Sequence, residues 1–285
     1  MPILLFTLVI IANSMQLVLR KVYDEKHKTG VYTYTAVNAI FAFLFFFIEC
    51  KGVIFTNNQI LPYALLFAVL YAVSSLTTML AIKTTAPSSL TSLIISYSLI
   101  IPTLYGLTVL NEPITVYLII GIILLLISLA FINIEPKKED KKITLKWVIF
   151  ALLAFVTNGF CTSVSKQVVI DLGGDIISEF LAVSLLIVVI ITTIIAVIIE
   201  NKQVPKHLKN SLLYACGSGV GNGIANRFTL LLAVTIPASI MFPIISAGGI
   251  ILTTCISLFF LKEKLSKWQI LGFILGVGAL VFLNI

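Results

Sequence analysis

Long apolar runs alternate along the chain with short segments carrying charge, proline or glycine. Each run is about twenty residues long, the length an α-helix needs to cross a hydrocarbon core roughly 30 Å thick. The pattern predicts helices near 2–20, 31–49, 60–82, 88–110, 114–134, 146–167, 176–199, 209–234, 238–261 and 267–285. The runs lack the period-two alternation of barrel strands. A bilayer offers the backbone no outside hydrogen-bond partner, so helices are the expected spanning form. The tightest junctions are expected at Lys83 to Pro87, Asn111-Glu112-Pro113 and Ile236-Pro237. The run from Pro2 to Leu19 has no basic segment before it and no clear small-residue cleavage site after it. It also carries Asn13, Ser14 and Gln16, which suit a helix facing a bundle interior, so it reads as a retained first helix.

The chain repeats itself. Ile119-x-Gly121-x-Ile123-Leu124, ending in Phe131-x-Asn133-Ile134, recurs as Ile270-x-Gly272-x-Ile274-Leu275, ending in Phe282-x-Asn284-Ile285. The same spacing pairs Glu49 with Glu200, Lys51 with Lys202 and Glu112 with Glu263. A slightly shorter one pairs Thr85, Pro87 and Ser89 with Thr235, Pro237 and Ser239, and a third pairs Asn13 with Asn158 and Lys21 with Lys166. The expected organisation is a five-helix unit over 1–134, a basic linker over 135–145 and a second five-helix unit over 146–285. Five is odd, so the second unit enters the membrane inverted. The expected fold class is an all-α integral membrane protein of ten transmembrane helices in two inverted repeats, an architecture common among transporters.

Composition agrees with that pattern. Hydrophobic residues make up 59% and charged residues 11% of the 285, against about 25% charged in soluble domains. The mean hydropathy is +1.12. The net charge of +7 does not imply nucleic acid, because the basic residues lie in short segments between apolar runs, where they act as topology signals. Sixteen Lys and Arg, from Arg20 and Lys21 to Lys264 and Lys267, fall on the side that receives the turns after odd-numbered helices, and only Lys51 and Lys166 on the other. By the positive-inside rule both termini are expected to face away from the cytoplasm, in a protein of the plasma membrane. Cys50, Cys161, Cys216 and Cys255 show no ligand spacing and read as free thiols.

The chain resembles the drug/metabolite transporter superfamily in its ten-helix, EamA-like form. The resemblance lies in Ile236-Pro237-Ala238-Ser239-Ile240, Ser246-Ala247-Gly248-Gly249-Ile250 and Phe260-Leu261-Lys262-Glu263-Lys264-Leu265-Ser266. A weaker form stands in Ala86-Pro87-Ser88-Ser89 and Leu110-Asn111-Glu112-Pro113. The resemblance implies a transporter and covers essentially the whole chain. The small multidrug-resistance branch of that superfamily carries a membrane carboxylate in its first helix, in a pattern similar to Ile10-Ile11-Ala12-Asn13 followed by Leu19-Arg20-Lys21. Here the carboxylate position is Asn13, and its repeat partner is Asn158. Proton antiport by that branch's chemistry is therefore not expected, although Glu179, near a helix end, leaves another coupling group open.

Arg227 is the leading candidate for solute binding. It lies roughly 6 Å past the centre of its apolar run, where an arginine costs about 2.5–3.5 kcal/mol on insertion scales. The Asp and Glu residues all fall near predicted helix ends or in loops. The functional reading is a cavity cation that meets a carboxylate or phosphate. The bland reading is an arginine that snorkels or bonds backbone carbonyls. Ahead of it, Gly217-Ser218-Gly219-Val220-Gly221-Asn222-Gly223 lacks the strand that a nucleotide fingerprint requires. Its overlapping pairs, Gly217/Gly221 and Gly219/Gly223, instead permit close helix approach. Asn222 and Asn226 share a helix face and complete the polar set with Asn13, Asn158, Tyr71, Ser96 and Tyr97. For each the alternative is interhelical bonding or packing. Pro102 and Pro243 are candidate kinks.

His27 and His207 sit beside lysines in expected loops, and no metal cluster, nucleophile elbow or phosphate loop appears. The expectation is a non-enzymatic secondary transporter without cofactor or metal, functional as a monomer in the lipid bilayer. Its solute would be a small anionic or zwitterionic metabolite resembling an amino acid, moved by alternating access. The alternatives are a multidrug or organic-cation carrier and a non-transporting scaffold or sensor.

Overall fold

A computed structural model describes residues 2–27, 29–54, 56–84, 98–132, 144–259 and 267–283. It is all-helical over those residues. In chain order the helices are α1 (Pro2–His27), α2 (Val31–Glu49), α3 (Leu61–Ile82), α4 (Ile100–Thr108) and α5 (Val116–Ile132). They continue as α6 (Leu145–Leu172), α7 (Ile177–Glu200), α8 (Val204–Thr235), α9 (Ala238–Phe259) and α10 (Lys267–Leu283). Several are long and apolar enough to cross a membrane by length and composition. Large apolar side chains such as Ile48, Ile198 and Leu213 stand more than 70% exposed. Such a surface suits lipid contact and would be an aggregation hazard in water. The protein is an integral membrane protein.

Described helices overlap the expected runs, although only Ile100–Thr108 of the run expected at 88–110 is helical among the described residues, and three helices are longer than expected. α1 continues past Leu19 to His27, α6 reaches Leu172, and α8 starts at Val204 rather than near 209. Basic residues do not break helices. The chain after α1 turns only at Gly30, whose φ is +78°, a left-handed conformation that glycine adopts without steric cost. Asn111, with φ of +51°, marks the tight junction expected there. Residues 85–97, most of the linker 135–145, and the motif ends Asn133-Ile134 and Asn284-Ile285 lie outside the described residues.

The helices pack mainly across the two halves of the chain. α1 lies on α8 and α9, α3 on α6 and α7, and α4 on α6 and α9. α2 lies on α7 and α8, and α5 on α10. Exchanging each helix for the one five places along returns many of these same pairs: α1·α8 becomes α6·α3, α1·α9 becomes α6·α4, and α2·α8 becomes α7·α3. The α2·α7, α4·α9 and α5·α10 pairs map onto themselves.

The glycine segment of α8 is what lets α1 and α2 approach it. Gly217 and Gly221 face Leu19 and Met15 of α1, while Gly219 and Gly223 face α2. The approach is closest at Gly219, where an added Cβ would stand 2.5 Å from the Asn38 carbonyl oxygen and 2.7 Å from Phe41 Cβ. The two overlapping small-residue pairs therefore serve two different neighbours.

Carboxylates cap the helix ends. Glu200 accepts the backbone N–H groups of Tyr32 (3.0 Å) and Thr33 (3.1 Å) at the start of α2, together with the Thr33 hydroxyl. Glu112 accepts those of Ala238 (2.7 Å) and Ser239 (2.8 Å) at the start of α9. Glu179 accepts those of Thr56 (2.5 Å) and Asn57 (3.0 Å) before α3. Negative charge at a helix N-terminus is stabilised by the exposed N–H groups and the macrodipole.

Candidate functional site

Arg227 is not the lone cation that its position in the sequence suggested. Its Nε stands 2.7 Å from Glu49 Oε1. Two features explain the correction. α8 spans 32 residues, so its midpoint falls between Gly219 and Val220, and Arg227 lies about 11 Å past it. Glu49 is the last residue of α2, and the chain brings that helix end alongside the outer third of α8. Both side chains are roughly one-quarter to one-third exposed. The Arg227–Glu49 pair is a rim contact.

A different arginine faces a cavity. Arg20, counted from sequence among the loop charges, lies inside α1 because that helix runs on to His27. It lines a small, partly open space of about 10 Å³, room for about one water, together with parts of α2 and α3. α2 contributes Tyr34, Thr35, Asn38 and Ala39, two i, i+4 pairs on adjoining strips of one helix. α3 contributes Tyr71, Ser75 and Met79, a single i, i+4, i+8 stripe. Helical periodicity alone puts these residues on common faces. The chamber reaches mid-helix at Tyr71, and α8 runs beside two of its lining residues. Ser218 stands beside Tyr34, and Asn222 beside Tyr71.

The chamber's polar groups are incompletely satisfied. Arg20 Nε, the Tyr34 hydroxyl, Asn38 Oδ1 and the Ser218 hydroxyl are buried without a hydrogen-bond partner. The Tyr34 hydroxyl interacts with both the Arg20 guanidinium and Ser218, though neither contact reaches full hydrogen-bond geometry. Leaving a buried polar group unpaired costs about 1–3 kcal/mol, so four around one space is a concentrated expense. Among the described residues the ion pairs are Arg227–Glu49 and His207–Glu200, and neither involves Arg20.

The remaining expected site residues fall into separate places. Asn13, Asn222 and Asn226 join a chain of amides between α1 and α8. Gln16 donates to Asn13 Oδ1 (3.3 Å), Asn222 donates to Gln16 Oε1 (3.1 Å), and Asn226 donates to Asn222 Oδ1 (3.0 Å). Asn158 instead donates to the Ser98 hydroxyl at 2.6 Å, tying α6 to the segment before α4. Tyr71 stands in the chamber, with its ring stacked on Phe67. Ser96 and Tyr97 lie outside the described residues.

Three further readings are corrected. Lys166, assigned from sequence to the sparsely charged side, is buried within α6. It donates to the carbonyls of Ala233 (2.5 Å) and Ile236 (2.9 Å) at the end of α8, where helix carbonyls lack intrahelical donors. His207 lies in the first turns of α8, buried, with Nδ1 3.0 Å from Glu200. His27 ends α1 and packs near Tyr23 and Tyr214. Both histidines had been read as unpartnered loop residues. Arg20, Tyr34, Asn38, Ser75 and Ser218 were missed, although a polar stripe at i, i+4 in α2 was visible in the sequence.

The apolar helical bundle defines the class, an integral membrane protein. Residues 145–285 match the sequence model of the EamA-like transporter family. That family belongs to the drug/metabolite transporter superfamily, and the match covers the second half of the chain. A crystal structure of another protein superposes with a TM-score of 0.75 at 14% identity, covering 99% of this chain and 96% of that one, which shows a shared fold. No curated protein matches the chain.

Proposed function

We propose that the chain is a secondary transporter that moves a small anionic or zwitterionic metabolite, amino-acid-like in chemistry, by alternating access. In this reading the five-helix units 1–134 and 146–285 are inverted repeats joined by the linker 135–145. They rock against one another across the self-mapping pairs α2·α7 and α4·α9. The observation that carries the reading is the exchange relation among the packed helices, with a small polar chamber among α1, α2 and α3 beside α8. A space that holds about one water is a closed state, so solute entry requires the halves to part. The family match over 145–285 supports transport. The anionic preference no longer leans on Arg227, whose charge is met by Glu49.

Uptake into proteoliposomes tests this. Saturable uptake of radiolabelled amino acids or hydroxy acids, inhibited by small carboxylates and not by quaternary amines, is the expected result. Inhibition by quaternary amines alone would favour the organic-cation carrier. Absence of uptake across a metabolite panel would favour the scaffold. We also propose plasma-membrane residence with both termini outside the cytoplasm. The corrections to Arg20 and Lys166 remove one charge from each side and leave a bias of fifteen to one. Labelling of a cysteine placed at Glu139 by an impermeant reagent in intact cells would overturn that orientation.

A further inference from the structure

We propose that Arg20, Tyr34, Ser218 and Asn38 bind the head of the solute: a carboxylate on the first three, and an adjacent N–H or O–H donor on Asn38. This deepens the transporter reading and rests on it. The argument starts from an imbalance. Of the buried side-chain polar atoms without a partner among the described residues, Arg20 Nε, Tyr34 Oη and Asn38 Oδ1 line one chamber, Ser218 Oγ lies beside its Tyr34, and only Ser14 and Thr193 stand elsewhere. Tyr34 is 1%, Ser218 0% and Asn38 4% exposed, so none of the three is served by bulk solvent. Their chemistry is complementary to one kind of group. A guanidinium, a phenol and a hydroxyl donate hydrogen bonds, which suits an anion. Asn38 Oδ1 only accepts, so the bound molecule must also offer a donor.

Charge and size narrow the class. Among the described residues one arginine stands at the chamber and no carboxylate is in ion-pair contact with it, so a monoanion neutralises it. A phosphate dianion would leave net negative charge in a low-dielectric site. A planar carboxylate matches the guanidinium fork in two parallel bonds and fits a tight space better than a tetrahedral group. An α-amino or α-hydroxy acid carries the carboxylate and the donor on neighbouring atoms, as the arrangement of Arg20 and Asn38 requires. Tyr71, Ser75 and Met79 on α3 then face the rest of the molecule.

The relation between the halves supports an asymmetric site. At the repeat spacing that pairs Asn13 with Asn158, Arg20 corresponds to Ser165. At the spacing that pairs Glu49 with Glu200, Tyr34 and Asn38 correspond to Leu185 and Val189. Ser165 is tied to the carbonyl of Cys161 at 3.1 Å, and Leu185 is buried in the apolar core. The corresponding described residues of the second half therefore do not repeat the polar set, and a single head-group site serves both faces of the cycle.

The test is calorimetric titration of the full chain in detergent with L-alanine, L-serine, L-lactate, propionate, inorganic phosphate and choline, alongside proteoliposome uptake of the labelled forms. At least one amino or hydroxy acid is expected to bind, with propionate at least about tenfold weaker. Asn38→Ala should remove the difference between lactate and propionate while retaining carboxylate binding. Arg20→Lys should weaken carboxylate binding about tenfold, and Arg20→Gln should abolish it. Binding of phosphate or choline but no carboxylate overturns the proposal, as does carboxylate binding unchanged in Arg20→Gln. If Arg20→Gln does not fold, Arg20→Lys and Asn38→Ala decide, and wild-type affinities in both overturn it. The two readings fail separately. Binding that depends on Arg20 without any uptake sinks transport and leaves the site. Uptake indifferent to Arg20 and Asn38 sinks the site and leaves transport.

Discussion

The two half-buried arginines, Arg20 and Arg227, lie toward opposite ends of α2 and in opposite electrostatic situations. Arg227 meets a carboxylate at the last turn of α2, and both partners retain contact with the outside. Arg20 meets two tyrosines, a serine and an asparagine at the opposite end of α2, with no acid among its contacts. A charge close to its counter-charge at a rim is neutralised where it stands. A charge beside unpaired neutral polar groups is kept at a cost, and intramembrane charges of that kind mark solute paths. Depth along a run therefore ranks charges poorly, and the partner ranks them well.

The largest effect that would break this contrast is mechanical. Gly219→Val should prevent α2 from closing on α8, because its Cβ would fall 2.5 Å from the Asn38 carbonyl. The expected outcome is loss of monodisperse protein, or destabilisation of about 3 kcal/mol in the range of core overpacking. Gly249→Ala, where an added Cβ meets nothing within 4 Å, should be silent in the same elution and melting assays. A normal melting curve for Gly219→Val would mean that α8 and α2 do not pack as described.

Next in size is the transport comparison between the two arginines. Arg227→Gln should leave solute affinity within about threefold of wild type, since its charge is used by Glu49, and Arg20→Gln should abolish uptake. The reverse ranking, measured as KM and maximal uptake in proteoliposomes, would return the solute to Arg227.

A smaller effect sharpens the rim side. Arg227→Met or Glu49→Gln alone strands one charge, and each should lower the melting temperature in detergent. The double variant should recover part of the loss, because removing both partners leaves no stranded charge. A coupling of about 1 kcal/mol is expected for a pair this exposed, and strictly additive losses would show that the contact contributes nothing.

The smallest effect lies in the amide chain. Asn13→Ala removes an acceptor for Gln16 within α1 and should cost about 0.5 kcal/mol, the low end for one intramolecular hydrogen bond. It should not shift the pH dependence of uptake, because no titratable group is lost. A shifted profile would mean that Asn13 acts through a proton-carrying partner.

The glycine segment of α8 was legible because small residues at i, i+4 have one dominant use in lipid. The sequence did not show that its two pairs serve different helices. Arg20 was illegible for a reason that the structure makes plain. The first basic residue after an apolar run marks the expected helix end, whereas α1 carries Arg20, Asp24 and Lys26 within its length. Lys166 was misplaced by the same assumption. Ser218 was hidden within a glycine motif whose packing role drew all the attention.

The sequence by itself determined that the chain spans a membrane, where its helices run, and which segments allow close approach. These are local properties: apolar transfer free energy summed over about twenty residues, and the side-chain volume at each turn. Only the tertiary structure decided which arginine is paired. Glu49 and Arg227 are brought together across most of the chain's length, and Ser218 reaches Tyr34 from the other half. Successive helical residues point about 100° apart, so a small change in helix rotation moves a side chain from cavity to lipid. No local pattern sets that rotation, because it follows from the packing of α1, α2, α3 and α8 against one another.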